Sequence, residues 1–396
     1  MPVYKLTETF KEFFQSEKSS GIILFFCSIV SLMVANSFMG ESYLAFWHSY
    51  VFGLSVSHWV NDGLMAIFFL LIGLELKREL YKGELSDFKS ALLPVLAALG
   101  GFALPALIHF GFNSGMPTAK GFGIPMATDI AFALSVLALV GSRAPASLKV
   151  FLTAVAVIDD LCAIIVIALF YTAKVEMLYL GLALLVLIGL AIMNRARIMK
   201  IPFYLLGGAV MWYFMLQSGV HATIAGVLLA FTIPFTPIQD DKKSPSYLVE
   251  HFLHKPVAFF IMPVFALANT GIVIGADWAG SLLSENSMGI SLGLIFGKVG
   301  GITLLSLIAV KSGLCTLPGR MNFNHIIGAG LLAGIGFTMS IFITNLAFNN
   351  EATLLNSSIM AIFAGSIISG LLGYFWLIFG PCGDKKMNRA ELNAPE

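Results

Sequence analysis

Four ionisable side chains stand where bulk water cannot solvate them. Asp159 and Asp160 are adjacent in the middle of FLTAVAVIDDLCAIIVIALF, Asp129 lies within GFGIPMATDIAFALSVLALVG, and Lys298 within IFGKVGGI. A charged side chain at a bilayer centre costs roughly 2.5–3.5 kcal/mol even on lenient insertion scales, so an acidic pair at that depth is tolerated where it lines a polar path and acts on something. Cation handling is the chemistry such a pair suits. Neighbours on a helix point about 100° apart, so the two aspartates cannot face one point identically. One is expected to face an ion path squarely while the other pairs sideways, with Lys298 as partner. Burial and mutual repulsion both favour the neutral acid, which makes proton uptake near neutral pH an expected property of the pair. Lys298 is too deep to snorkel, because about 10 residues to either helix end is some 15 Å. It must therefore partner a carboxylate or the carbonyl end of a broken helix.

The elements that position these groups are apolar spans. The chain is 58% hydrophobic and 11% charged, with a mean hydropathy of +0.89. Runs of about 20 apolar residues, each able to cross a hydrocarbon core of roughly 30 Å as a helix, account for most of its length. We read an all-α integral membrane protein of about twelve spans, at 20–39, 58–76, 91–112, 121–141, 150–172, 177–193, 202–217, 219–236, 257–275, 288–310, 326–348 and 353–379. Spans seven and eight carry the weakest signal. With the N-terminus on the cytoplasmic side, 20 of the 23 Lys and Arg residues fall on that side, the outer side keeps only Lys120 and Lys174, and Lys298 is the remainder. This asymmetry and the even span number place both termini in the cytoplasm. Residues 1–19 form a cytoplasmic N-terminal segment, 20–379 a single transmembrane domain, and 380–396 a cytoplasmic tail. The first span has no clear cleavage site and is read as retained. The four cysteines have no ligand spacing and imply no disulfide framework. Between spans one and two, residues 41–57 are aromatic, with Gly53 at a turn position, and are expected to form a hairpin on the outer face.

Two spans are poor continuous helices. The fourth places Gly121, Gly123 and Pro125 just before Thr128 and Asp129; the eleventh runs through Gly328, Gly330, Gly334 and Gly336 before Thr338. Unwound backbone inside a membrane supplies carbonyls and helix ends to ions, so these two spans are candidate interrupted helices. Near the cytoplasmic ends, Glu75, Lys77, Arg78 and Glu79 cluster in LELKREL, and Glu250, His251 and His254 precede span nine. On residue types alone they read as solvated helix ends. Asp62 near the outer end of span two reads as a helix cap, and His221 in GVHATIAG as a hydrogen-bonded interface residue.

Taken together, LMAIFFLLIGLELKREL at 64–80, GIPMATDIAFALSVLALVG at 123–141, FLTAVAVIDDLCAIIVIALFY at 151–171, GVHATIAGVLLAF at 219–231, FGKVGGI at 296–302 and GIGFTMSIFI at 334–343 resemble the NhaA-type sodium/proton antiporters of bacterial inner membranes. The resemblance covers nearly the whole chain. Spans three to five and ten to twelve would then be inverted-topology repeats with the broken helices at their centres, an architecture of which the NhaA antiporter is itself an example.

The resemblance implies that Asp159 and Asp160 bind Na+ or Li+ in competition with H+. It implies that Asp129 and Lys298 compensate the ends of the interrupted helices with Thr128 nearby, or that Lys298 pairs with Asp159. It further implies electrogenic exchange by alternating access, no cofactor, and no nucleic-acid partner. A pH-responsive network of Glu75, Arg78, Glu79, Glu250 and His254, with His221 also affecting the pH response, follows on the same ground, as does a homodimer through 41–57. Two other classes share part of this pattern. An intramembrane aspartyl protease needs two deep carboxylates, but its GxGD-type sequence is absent. A proton-coupled carrier of a small organic solute needs a wider polar pocket than spans so sparse in Asn, Gln and Arg provide.

Overall fold

A computed structural model describes residues 8–83, 86, 88–172, 175–236, 244–319, 321–348 and 351–380. Several sequence assignments lie outside them: residues 1–7, the tail from 381, and the basic residues Lys174, Lys242, Lys243 and Arg320. The chain is a helical bundle. In order it runs α1 (Glu8–Ala35), α2 (Gly40–His48), β1 (Tyr50–Val51), β2 (Leu54–Ser55), α3 (Val56–Lys82), α4 (Phe88–Asn113), a 3-10 segment (Pro117–Met126) and α5 (Ile130–Val140). It continues through α6 (Ala146–Phe170), α7 (Met177–Arg195), α8 (Ile201–Ser218), α9 (Ile224–Thr232), α10 (Pro245–Asn269), α11 (Trp278–Leu282) and α12 (Glu285–Lys311). The last three are α13 (Phe323–Ala333), α14 (Phe337–Ala347) and α15 (Ala352–Phe379).

Among the described residues seven helices, α3, α4, α6, α7, α10, α12 and α15, are long and apolar enough to cross a membrane, and the number reaches ten if each of three bent pairs is one span. The outward faces of these helices are apolar: on α7, Leu178, Leu185, Ile188 and Ile192 are all well exposed. Such surface is compatible with lipid and not with water, which fits a multi-pass membrane protein. The expected fourth and eleventh spans each fall on a pair of helical segments. The 3-10 segment meets α5 at 42° across residues 127–129, and α13 meets α14 at 46° across residues 334–336.

Three expectations change. Residues 41–48 are not hairpin but the helix α2, which lies at 113° to α1. The strands are confined to Tyr50–Val51 and Leu54–Ser55, paired Tyr50 to Ser55 and Val51 to Leu54. Phe52 and Gly53, at φ 51° and 84°, make the positive-φ turn that joins them, the geometry that two-residue hairpins favour. The eighth expected span contains only the nine-residue α9, about 14 Å long at the helical rise and too short to cross alone. Asp62 does not cap α3; Ser55 does, accepting from the His58 amide, and Asp62 instead meets His58 Nε2 at 3.0 Å.

Small residues let the helices that carry the ionisable groups approach closely. Gly100 of α4 and Gly301 of α12 cross so tightly that a Cβ on either would collide with the other's carbonyl. Gly297 abuts Pro105 in the same groove, and the Gly293–Gly297 turn of α12 is a widened π turn immediately before Lys298. Gly226 of α9 packs on the backbone at Ala66 of α3 in the same way. In a bilayer, where apolar burial between helices gains little, this backbone proximity is the main packing term. Replacing Gly301 by Leu should therefore lower the stability of the purified protein by about 1–3 kcal/mol, the usual range for overpacking. Gly111 has no neighbouring atom within 4 Å where its Cβ would sit, so Gly111→Ala should leave the thermal midpoint in detergent nearly unchanged.

Candidate functional site

The two bent helix pairs meet at their bends. The amide of Asp129 donates to Ile335 O at 2.7 Å, joining the breaks directly. Asp129 is the N-cap of α5: its Oδ1 accepts from the Phe132 amide at 3.0 Å. Its Oδ2 accepts from the Thr338 amide at 3.2 Å, in the first turn of α14, and from the Thr338 hydroxyl. One carboxylate thus faces the amino ends of two half-helices, both of which carry partial positive charge. The carbonyl ends of the first halves are met by hydroxyls. Ser340 Oγ donates to Ile124 O at 2.7 Å, and Thr128 Oγ1 lies 2.8 Å from Ala333 O.

Against these bends α6 presents its aspartates, each 1% exposed. Lys298 Nζ reaches Asp159 Oδ2 at 2.6 Å with neither side chain accessible to solvent. Of the two roles left open for Lys298, its hydrogen bond in the structure is the one to a carboxylate. Thr128 Oγ1 also lies 2.8 Å from Asp159 Oδ2. Its single hydroxyl proton serves Asp159 or Ala333 at any moment, so Thr128 couples the acid to the helix break. Oδ1 of Asp159 and Oδ1 of Asp160 are both buried without a hydrogen-bond partner. Such orphaned oxygens deep in a bundle are acceptors for a proton or a small cation.

Asp160 diverges from its neighbour as the helical geometry requires. Together with Asp129 and Thr338 it lines a small cleft, with about 50 Å³ of space for water, whose lining also includes Ser20, Glu75 and His254. The sequence-predicted residues therefore divide into two groups. Asp129, Asp159, Asp160, Thr128 and Lys298 come together at the bends. Glu75 and His254 lie along the cleft, and Arg78 is anchored beside them, with Nη1 on Glu250 Oε1 at 2.7 Å. The contact between Arg78 Nη2 and Glu79 Oε1 is looser at 3.7 Å, and surface pairs of that length contribute little. His251 stands apart, stacked on Tyr247. His221 is remote from the bends, with Nε2 2.7 Å from Tyr171 O.

Two residues escaped the sequence reading. Thr338 was noted only as the residue that follows a glycine run, yet its hydroxyl and amide hold Asp129. Lys77 looked like part of a solvated charged end, but it is 4% exposed and its Nζ caps the carbonyl end of α9, donating to Ala230 O at 3.3 Å, Phe231 O at 3.1 Å and Ile233 O at 2.5 Å. No local signal in the sequence separates it from a solvated helix end, because the end of α9 that it caps shows only in the fold. Lys77→Met keeps the packing volume and removes the cap, so it should destabilise the protein by about 1–3 kcal/mol, read as a lowered thermal midpoint. Lys82→Met, at the exposed end of the same helix, should not.

Comparison with known proteins gives the family. Residues 11–377 match the family model described as Na+/H+ antiporter 1. A protein of Dechloromonas aromatica named Na(+)/H(+) antiporter NhaA is 63% identical over 376 residues, covering 95% of this chain and 97% of that protein. Similarly named proteins of Flavobacterium psychrophilum and Vibrio cholerae are 56% and 47% identical, covering 94% and 93% of this chain and 96% and 97% of their own lengths. With residues 11–377 matched and relatives aligned over more than nine-tenths of its length, the chain belongs to the Na+/H+ antiporter 1 family.

Proposed function

We propose that the chain is an electrogenic, pH-regulated exchanger that moves Na+, or the chemically similar Li+, outward in return for H+, by competition at Asp159 and Asp160. The observation that carries this reading is two adjacent carboxylates, both buried and each with an unpartnered oxygen. One of them is paired with a buried lysine and the other opens on a cleft. Protonated, the acids have no charge to offer a cation. Ionised, their oxygens suit a hard alkali ion, with the Thr128 hydroxyl as a neutral oxygen close by. Protons and metal then exclude one another at one set of atoms.

The charge count follows from the same atoms. If two protons, from the two carboxyls or from one carboxyl and Lys298, leave for each Na+ bound, one net charge moves per cycle. A membrane potential would then drive exchange with about 2.3 kcal/mol per charge at 100 mV. When Na+ leaves, two protons taken up from the other side would reload the same groups and Lys298 would pair with Asp159 again, while Asp129 would hold the two facing amino ends of α5 and α14 steady throughout. Alternating access would tilt the repeat containing these half-helices against the rest of the bundle, with twelve crossings, inverted repeats and both termini on the cytoplasmic side. The bacterial inner membrane and a homodimer joined through 41–57 belong to the same reading. Exposed Phe46, Tyr50 and Phe52 in that segment support the dimer, and cross-linking within 41–57 tests it.

Glu75, Arg78, Glu79, Glu250 and His254 form the proposed pH-responsive entrance, supported by the Arg78–Glu250 ion pair and by Glu75 and His254 along the cleft. His221 would act separately from the far side.

In inverted vesicles, Na+ should dequench an acid-accumulating dye while small organic solutes do not; the reverse would favour an organic-solute carrier. Asp160→Asn should reduce exchange by more than about 100-fold, the loss expected when a required charged ligand is removed. Lys298→Ala should impair exchange, and adding Asp159→Asn should relieve much of that defect if the lysine's task is to neutralise Asp159. Exchange that proves insensitive to membrane potential in proteoliposomes would refute the charge count. Glu250→Gln or His254→Ala should displace the pH profile of exchange, and an unmoved profile in both would remove the entrance network from the account.

A further inference from the structure

Asp160 and Glu75 line one cleft, a transport path through it must be shut on one side at a time, and an aromatic ring paired with an amide recurs beside its lining on each of three helices. On α3, Glu75, Ile72, Leu71 and Phe68 line the cleft, Phe69 lies among them, and Asn61 lies about two turns beyond Phe68. On α10 the order from the cleft is Met262, Phe265, Asn269, and on α14 it is Thr338, Phe342, Asn345. The rings form a dry layer. Phe69, Phe265 and Phe342 are at most 1% exposed, and Phe342 lies 5.4 Å from Phe69 and 6.2 Å from Phe265 between centroids. Beyond them the amides form a ladder. Asn345 Nδ2 donates to Asn269 Oδ1 at 2.6 Å, and Asn269 Nδ2 donates to Asn61 Oδ1 at 2.8 Å and to Phe265 O at 2.9 Å.

Resting on the antiport reading above, we propose that the Asn61–Asn269–Asn345 ladder is the latch that holds the far end of the ion path shut and must part once in each transport cycle. The aromatic layer excludes water, as hydrophobic constrictions do, but rings have no preferred register and slide at little cost. Amides differ. Each is satisfied in one register, and if pulled apart in a dry site each loses its partner. They can part only when water enters to replace the lost bonds. A ladder between rings and solvent therefore gives two discrete states, shut and dry or open and wet, which a rocking transporter needs. The latch is also tied to the site. Thr338 holds Asp129 in the first turn of α14, and Asn345 lies two turns on, about 10 Å along the same helix.

The full chain, with Cys27, Cys162, Cys315 and Cys382 replaced by alanine and Met339→Cys added on the cleft wall, tests this in right-side-out and inverted vesicles. The readout is the rate at which a membrane-impermeant maleimide labels the introduced thiol from each face. Asn269→Leu and Asn345→Leu should each raise labelling from the face opposite Glu75 by about fivefold or more, with a matching fall from the Glu75 face. Asn345→Gln, which keeps the donor, should stay within about twofold of the parent. If a leucine variant does not fold, Asn61→Ala at the half-buried end of the ladder serves in its place. Labelling from the far face that stays at the parent rate in folded ladder variants overturns the latch. Because labelling requires no exchange, a parent protein that fails to swap Na+ for H+ would count against the antiport reading alone.

Discussion

Lys298 and Asp159 meet at 2.6 Å with both side chains out of solvent, and the remainder of the bundle is arranged around what that contact requires. A buried ion pair is stable only when both partners are present and held in register; removing one partner leaves an uncompensated charge at a cost of about 3–5 kcal/mol. Holding the register falls to the helices behind it. The Gly100–Gly301 crossing sets the distance of α12, the widened turn before Lys298 sets its rotation, and Gly101 leaves room for Ile302, one turn beyond the lysine, since a Cβ there would meet Ile302 Cγ1 at 2.7 Å.

The same constraint explains why two helices break beside the pair. A continuous helix satisfies its own backbone and has no dipole to offer in its interior. Interruption at 127–129 and 334–336 exposes two amino ends and two carbonyl ends at one place. Each end is answered locally: Asp129 for the amino ends, the Thr128 and Ser340 hydroxyls for the carbonyl ends. The answering groups are shared, since Thr128 also touches Asp159. A change of charge on the acid is therefore felt at the bend.

Much of this was legible in the residues. Deep carboxylates and a deep lysine identify themselves, because no soluble or lipid-facing environment accounts for them, and the glycine and proline content of 121–125 and 328–336 marks both breaks. Other features were hidden because their signals are ordinary. GESYLAFWH has aromatic residues that suit either an interfacial strand or a helix, and packing chose the helix. Lys77 sits in a charged run like any solvated helix end, and only the nearby carbonyl end of α9 turns it inward. Apolar run length could not distinguish the nine-residue α9 from a full crossing. Asn61, Asn269 and Asn345 are more than 70 residues apart from one another, and nothing local links them.

The sequence by itself determined the solvent the chain lives in, the depth of its ionisable groups and the places where helices cannot continue, since each depends on local composition and on the free energy of placing charge in hydrocarbon. It also left Lys298 with two possible partners and Asp159 and Asp160 without assigned directions. Tertiary structure decided those questions. Which oxygen a lysine reaches, which aspartate faces a cleft and which amides share a ladder depend on angles and separations between helices. These are fixed by close backbone contacts such as Gly100 with Gly301, and no run of neighbouring residues encodes them.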